Sequence, residues 1–476
     1  MDMKLESLSD RLNPVLIKEL RQSFRNRMMI SLPGILLALQ FFMVLIFYLS
    51  REDWMDKAEG GGKTFLYIDA ALMYICIFCV CAWGAMQRFG EERASAELDF
   101  SGITLLTPFQ LIGGKLAGSM VTAFLIGSLC LPFMTVAYFF RNVTPLDTAG
   151  IFIAGIVPVL ISVQAALFCG VLSKKWGHAL FLIFVLQVAG PLFIGSQVLF
   201  QDELLGGGRA AGLFWLLQAG GFVLFLLLFV STAALVTPPF ANRMFLPRLL
   251  GMVCFLVFAG IALLPLFKLR VTRGEPFEAF LGCGPVALTG FLVLLAVCDR
   301  DEPGARVLSK APRNFPGRLC HFLLSSNRTG GVLCCLLVLA LLSGCVLLVL
   351  PVGGPVVTTT LAISAGLCGY MVFYGELAVL MHRLVPKVPG WVWLLIVTAC
   401  LGVVSLTVID GRRVHLEDVF ISFVQLFGRI KRSSQPEFGV WYGVLLSGIS
   451  GIWFLAEGIR KFRSWKAPEK IAPKRE

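Results

Sequence analysis

Charged side chains are scarce in this chain. Asp, Glu, Lys and Arg together make up 15% of its 476 residues, whereas hydrophobic residues make up 57%. A soluble globular domain carries about 25% charged residues. Together with a mean hydropathy of +0.83, this shortage excludes an ordinary soluble protein and predicts a membrane protein built from apolar helices.

Histidines and acids inside apolar runs are scarcer still. The one clear acidic residue within such a run is Glu376, which either snorkels to the interface, pairs with Arg383 or serves a function. Such sparse ionisable groups argue against a proton-coupled transporter and against a multi-histidine membrane enzyme. All four histidines fall at the ends of apolar runs or in loops: His178, His321, His382 and His415.

A phosphate-binding loop is also lacking. The segment 60–64, GGGKT, resembles the end of a Walker A motif, but Lys57 occupies the position of the first required glycine. No strand is predicted before it. Any ATP-driven activity therefore needs a separate ATPase subunit.

Metal ligands are not grouped either. Nearly all of the 14 cysteines lie inside apolar runs, where cysteine behaves as a small hydrophobe. Cys76, Cys79 and Cys81 form the densest group, and their run supplies no histidine or carboxylate partners. The sequence therefore predicts no metal site, no catalytic residue and no bound cofactor.

Long apolar runs are what the chain does contain. A helix that crosses about 30 Å of hydrocarbon needs roughly 20 apolar residues. The runs predict an all-α polytopic membrane protein with about 12 transmembrane helices. The expected spans are residues 28–49, 65–86, 116–140, 149–172, 179–200, 210–236, 249–267, 279–298, 330–352, 356–381, 391–409 and 438–456.

Basic residues orient these spans, because cytoplasmic loops collect Lys and Arg. With the N-terminus inside, the inner segments hold 28 of the 41 basic residues and the outer loops hold 13. Both termini are therefore expected in the cytoplasm, although the basic outer loop 410–437 departs from the pattern. The first run is too long for a signal-peptide h-region and should remain as an anchor. The net charge of +12 suits an anionic leaflet, so membrane lipids are expected partners and nucleic acid is not.

The segment before the first span is amphipathic. Asn13 is placed as an N-cap and Pro14 as the first helical residue. Such a helix lies in the inner interface; the alternative is an ordinary basic flank of span 1. Its apolar stripe is Leu12, Leu16, Leu20 and Phe24, and its charged surface is Lys18, Glu19, Arg21, Arg25 and Arg27.

The cytoplasmic loop after the second span carries a charged helical turn made of Glu91, Glu92, Arg93 and Glu97. Residues 104–111 are expected to form a short apolar hairpin around Thr107 and Pro108. After it, Gly113 and Gly114 permit a close backbone approach before Lys115. A polar turn held outside the bilayer either docks on a partner or is a solvated loop.

Together these segments resemble the type-2 ATP-binding-cassette (ABC) exporter permeases, in particular their large uncharacterised bacterial members. The resemblance covers roughly residues 11–250. It is carried by residues 13–22 (NPVLIKELRQ), 92–93 (ER), 105–108 (LLTP), 114–116 (GKL) and 241–243 (ANR).

The resemblance implies a connecting helix before span 1 and a coupling helix, residues 91–98, that rests on the ATPase. Glu91, Glu92, Arg93, Glu97 and Leu98 would then contact a separate ABC ATPase subunit. It also implies a second permease copy or paralogue as partner, and the bacterial cytoplasmic (inner) membrane as location.

Four regions are expected. They are a connecting helix at 1–28, a six-span permease-like domain at 29–240 with the coupling loop 88–115, six further spans at 241–457, and a basic tail at 458–476. The second half repeats the coarse layout of the first without a residue-level repeat, so six accessory spans are expected rather than a duplication. The expected function is an ABC permease subunit; the alternatives are a secondary transporter or lipid flippase without ATP, and a membrane scaffold.

Overall fold

The computed structural model describes residues 13–49, 61–94, 107–139, 143–173, 177–198, 200, 211–238, 241–263, 275–301, 303–349, 355–398 and 436–465. Every regular element in these residues is a helix, which confirms the all-α prediction for this part of the chain. The chain divides into two compact units, unit 1 (Met1–Thr237) and unit 2 (Pro238–Glu476).

In the described part of unit 1, a short helix comes first and longer helices follow it. Two π-helical turns, Phe78–Trp83 and Val185–Ala189, join α3 to α4 and α7 to α8, so that each pair runs on as one helix. The helices are α1 (Pro14–Arg25), α2 (Arg27–Leu49), α3 (Gly61–Ile77), α4 (Gly84–Ala94), α5 (Pro108–Val136), α6 (Pro145–Leu172), α7 (Gly177–Phe184), α8 (Gly190–Val198) and α9 (Ala211–Val236).

Unit 2 has a similar sequence of long helices, with two short ones after the second. Residues 390–398 are also helical. The helices are α10 (Phe245–Ala262), α11 (Glu275–Val297), α12 (Ala305–Ser309), α13 (Phe315–Leu324), α14 (Arg328–Val349), α15 (Pro355–Leu384) and α16 (Pro436–Ser464).

Many of these helices are long and apolar, as in a multi-pass membrane protein. In the described residues, eight helical stretches have the length and composition to cross a bilayer. Each overlaps one of the expected spans. The stretches are Met29–Leu49, Gly62–Arg93, Pro108–Phe139, Pro145–Leu172, Phe214–Val236, Phe245–Ala262, Arg328–Val349 and Thr360–Leu384.

The other four expected spans fall on shorter, interrupted or partly described helices. The fifth lies on α7, α8 and the π-turn that joins them. The eighth lies on α11, whose described apolar stretch is Gly284–Val297. Of the eleventh, residues 391–398 are described as helical, and the twelfth lies within α16. The count of twelve spans stays a prediction.

The fourth long helix of each unit lies at its centre. In unit 1, α6 presents Gly155 to Tyr74, whose hydroxyl oxygen would overlap a Cβ at that position. The same hydroxyl donates a hydrogen bond to the Ile151 carbonyl at 2.8 Å. In unit 2, α15 presents Gly375 to Val293 on α11, where a Cβ would meet the valine side chain at 2.5 Å. Glycines thus let neighbouring helices approach both central helices closely.

Candidate functional site

The candidate site lies in unit 1, where α1 meets the end of α4 and the start of α5. Asn13 caps α1 as expected, because its side chain accepts a hydrogen bond from the Val15 amide at 3.0 Å. Its Nδ2 donates to the Gln110 carbonyl at 2.6 Å. The cap therefore also fastens the first turn of α1 to the first turn of α5.

The expected hairpin around Thr107 and Pro108 is wrong in its described part. Thr107 is instead the N-cap of α5, and Pro108 is its first residue. Thr107 and Gln110 form a capping box, with hydrogen bonds of 3.3 and 3.0 Å. Pro108 favours a turn in the sequence, but a proline directly after a threonine N-cap begins a helix equally well.

Two glycines one helical turn apart let α1 lie close against α5. A Cβ at Gly114 would come within 2.8 Å of the Val15 side chain, and a Cβ at Gly118 within 3.0 Å of the Glu19 side chain. Gly113, also expected to permit close approach, faces open space. The close packing brings the buried face of α1, which is Val15, Glu19 and Ser23, against α5.

Oppositely charged side chains meet at this contact. Lys115 on α5 is 3% exposed and forms an ion pair with Glu19 of α1. Its ammonium also lies 2.7 Å from Glu92 Oε2 on α4 and 5.0 Å from the centre of the Phe89 ring. Lys18 lies 3.0 Å from the other oxygen of Glu92, and Arg88 lies 3.7 Å from Glu19. We call Lys18, Glu19, Arg88, Glu92 and Lys115 the junction cluster.

The helical pattern of the sequence predicts Glu19 on the charged outer surface of α1. This prediction is wrong, because Glu19 is buried. Helical periodicity sorts residues by polarity, and it assigns a carboxylate to solvent unless a partner is known. The partner, Lys115, lies 96 residues further along the chain. A buried carboxylate needs such a partner, since burying an unpaired charge is costly.

The apolar stripe of α1 lies beside its most buried face. Leu16 and Leu20 are half-buried, and Phe24 is exposed. Arg21 is exposed as well, whereas Leu12 lies outside the described residues. The described residues of the stripe are thus more exposed than Val15, Glu19 and Ser23.

Of the expected coupling residues, Glu91, Glu92 and Arg93 lie in the last turn of α4 and continue the helix of the second span. Glu97 and Leu98 lie outside the described residues. Glu91 is exposed, while Glu92 belongs to the junction cluster. Beside Glu91 is an open cavity of about 160 Å³, whose lining includes Ser173 and His178.

We expect alanine substitutions of the neighbouring glycines Gly113 and Gly114 to have different effects on thermal stability. Gly114→Ala should lower the Tm of the purified protein, because the new methyl overlaps Val15 and Asn13. Gly113→Ala, one residue away in the same helix, should leave the Tm unchanged or raise it, since alanine favours a helix by about 1 kcal/mol over glycine. Equal effects of the two substitutions on thermal unfolding would show that α1 does not pack on α5 in this way.

Unit 2 has a second buried polar cluster, which sequence reasoning missed. Arg248, 1% exposed, donates to Asp299 Oδ2 at 2.9 Å and to the carbonyl of Asn327 at 3.1 Å. It also donates to the Ser325 carbonyl. Arg328 at the start of α14 donates to the Asp299 carbonyl and lies 2.9 Å from Asp301 Oδ2. No spacing of residues in the sequence predicts this cluster, because most of its hydrogen-bond acceptors are backbone carbonyls.

Glu376 does not pair with Arg383, so that reading was wrong. The guanidinium of Arg383 lies 2.7 Å from Glu457 and 3.3 Å from Asp301. Glu376 is buried and accepts a hydrogen bond from Ser450 of α16. Its Oε1 has no hydrogen-bond partner among the described residues.

Asp69 is a further buried carboxylate, so Glu376 is not the one acid inside a span. It lies on α3, fully buried, and Gln40 Nε2 of α2 donates to its Oδ1 at 2.6 Å. Asp69 Oδ2 has no hydrogen-bond partner in the described part of the chain. The signal was present in the sequence, because an acid four residues into an apolar run is unusual.

We expect Asp69→Asn to keep or raise the Tm. Asparagine retains the shape and an acceptor for Gln40, and it removes any charge from a site without a basic partner among the described residues. Gln40→Leu should instead lower the Tm, because it leaves Asp69 without its donor, a loss of about 1–3 kcal/mol. A marked fall in Tm for Asp69→Asn would show that a cation holds this carboxylate.

Comparison with protein-family models, characterised proteins and solved structures finds no match. The described residues also contain no group of three or more His, Cys, Asp or Glu side chains that could hold a metal ion. The site is thus defined by its ion pairs and its exposed helix end.

Proposed function

We propose that this chain is the permease subunit of an ABC exporter of type 2, and that a separate ATPase subunit drives it. The proposal rests on one observation. The short helix α1 is held by buried ion pairs to the junction between α4 and α5, and the same end of α4 exposes Glu91. The sequence resemblance gives these two segments the roles of connecting helix and coupling segment.

The junction cluster offers a way to transmit force. Because Lys115 contacts both Glu19 and Glu92, a displacement of the α4 end also displaces α1 and α5. Along the chain, α4 continues through the π-turn Phe78–Trp83 into α3. Such π-turns interrupt regular helical hydrogen bonding and often occur at functional sites. In this proposal, ATPase closure pushes the exposed end of α4, and the junction cluster moves the attached helices as one body.

α1 takes the role of an interfacial anchor in this proposal. Its half-buried and exposed apolar side chains, Leu16, Leu20 and Phe24, contact the inner leaflet, and Arg21 meets lipid headgroups. Membrane lipids are then partners of the subunit. The location is the bacterial cytoplasmic membrane, with both termini in the cytoplasm.

Charge reversal at Glu91 tests this function. Glu91→Lys should leave the membrane yield and Tm unchanged, because the side chain is exposed. It should reduce co-purification of the ATPase and the ATP hydrolysis of the complex, since a like or unpaired charge at an interface costs about 1–3 kcal/mol. Glu91→Gln, which removes the charge and keeps the size, should give an intermediate loss.

Glu92 is unsuitable for the same experiment, because reversing its charge would disrupt the ion pair with Lys115. A loss of activity could then come from misfolding instead of from lost contact with the ATPase. If Glu91→Lys leaves ATP hydrolysis and complex formation intact, the coupling role of this helix end is refuted.

A proton-coupled transporter is the second candidate function. The buried carboxylates Asp69 and Glu376 favour it, because ionisable groups inside membrane spans often lie on proton pathways. Each has a neutral donor on one oxygen and no hydrogen-bond partner on the other among the described residues. This candidate predicts proton flux that Asp69→Asn abolishes.

A further inference from the structure

The long helices of the two units pack in the same order. Counted among the long helices that the structure describes in each unit, the first four and the sixth are α2, α3–α4, α5, α6 and α9 in unit 1, and α10, α11, α14, α15 and α16 in unit 2, where residues 390–398 are the fifth. In each unit the fourth helix packs against the second, third and sixth. The third also packs against the first, second and sixth, and the first packs against the second.

Burial follows the same order. The fourth helix is the most buried candidate span of unit 1, and the fourth helix of unit 2 is buried to the same extent. In each of the two helices, 72% of the most apolar stretch is buried. A helix that is central in one unit is therefore central in the other. Six accessory helices added to a finished core would have no reason to reproduce this packing.

The polar end between the second and third helices is also built alike. In unit 1, an acid near the end of the second helix, Glu92, meets a base two turns into the third, Lys115, at 2.7 Å. In unit 2, Asp301 after the second helix meets Arg328 at the start of the third, at 2.9 Å. The residues differ, which explains why the sequence shows no repeat.

An amphipathic helix packs on the first and third helices in both units, although it comes from different places in the chain. In unit 1 it is α1, which precedes the first helix. In unit 2 it is α13, which lies between the second and third helices. Its Phe322 also packs against Phe462 and Trp465 at the end of α16, and it exposes Phe315 and Leu319.

We infer that unit 2 is a second permease unit, and that one chain supplies both permease units of the working transporter. This inference rests on the proposed function and replaces the expected second copy or paralogue. Segment 303–325 of unit 2 then corresponds to the coupling loop of unit 1 and contacts the ATPase. Its exposed side chains include Lys310 and Arg313, whereas Glu91 is acidic, so the two segments meet different surfaces of the ATPase.

Counting chains tests the inference. The full-length protein is taken from its own membranes with its ATPase, placed in nanodiscs and weighed by native mass spectrometry. We expect one 52.1 kDa permease chain in each particle. Two permease chains in a particle would overturn the inference. A particle with one permease chain and no ATPase would refute the proposed function, and the inference that rests on it.

A matched substitution tests the role of unit 2 directly. Lys310→Gln with Arg313→Gln should lower the ATP hydrolysis of the complex several-fold and leave its Tm unchanged. Lys387→Gln, an exposed lysine after α15, is the control and should change neither. Unchanged hydrolysis in the double variant, when Glu91→Lys reduces it, would show that unit 2 is an accessory and would overturn the inference.

Discussion

Lys115→Met should be the most damaging single substitution in unit 1. Methionine keeps an unbranched apolar chain beside Phe89, but it leaves Glu19 and Glu92 buried or half-buried without their shared cation. Removing one partner of a buried ion pair costs about 3–5 kcal/mol. In thermal unfolding of the purified protein, we expect a fall in Tm of roughly 10 °C.

Lys18→Met is the matched control, because Lys18 contacts the same carboxylate, Glu92, with a side chain that is 48% exposed. Exposed ion pairs contribute about 0–1 kcal/mol, so its Tm should hardly change. Adding Glu19→Gln to Lys115→Met should recover part of the loss, since one unpaired charge is removed. Equal and small effects of the two lysine substitutions would show that the junction cluster does not hold α1 in place.

Arg248→Met should have a comparable effect in unit 2. Arg248 is buried against Asp299, which is 1% exposed, and it also satisfies the carbonyls of Ser325 and Asn327. Its loss leaves a buried carboxylate and backbone acceptors unpaired, at a cost of about 3–5 kcal/mol. We expect a lower membrane yield and a lower Tm.

Arg243→Met provides the comparison, because Arg243 approaches the same carboxylate at 3.6 Å with a more exposed side chain. Its effect on the Tm should be much smaller than that of Arg248→Met. A ranking in the opposite order would contradict the assignment of Arg248 as the central cation of this cluster.

Local signals in the sequence predicted local structure well. The N-cap at Asn13 and the proline after it place the start of α1 correctly, because capping depends on residues within one turn. The long apolar runs likewise overlap all eight described helical stretches that are long and apolar enough to cross a bilayer, since both are recognised by length and hydropathy. Gly114 was correctly assigned to a close approach, although its partner, α1, could not be named.

Contacts between distant residues could not be predicted in the same way. Glu19 and Lys115 are 96 residues apart, with α2, α3 and α4 between them, so periodicity predicts that Glu19 faces solvent. In unit 2, helix packing brings Arg248 to backbone carbonyls and to Asp299. No motif or spacing in the sequence predicts these acceptors. The correspondence between the two units is likewise visible in helix packing and absent from residue identities.

The most direct measurement of the central proposal is the energy source of the purified protein. The tagged chain is isolated from its own membranes, and ATP hydrolysis is measured in liposomes together with the internal pH. We expect an ABC ATPase in stoichiometric amount, hydrolysis that Glu91→Lys reduces, and no proton flux through the chain alone. A proton flux through the chain without any ATPase, lost in Asp69→Asn, would contradict the proposal and establish the proton-coupled alternative.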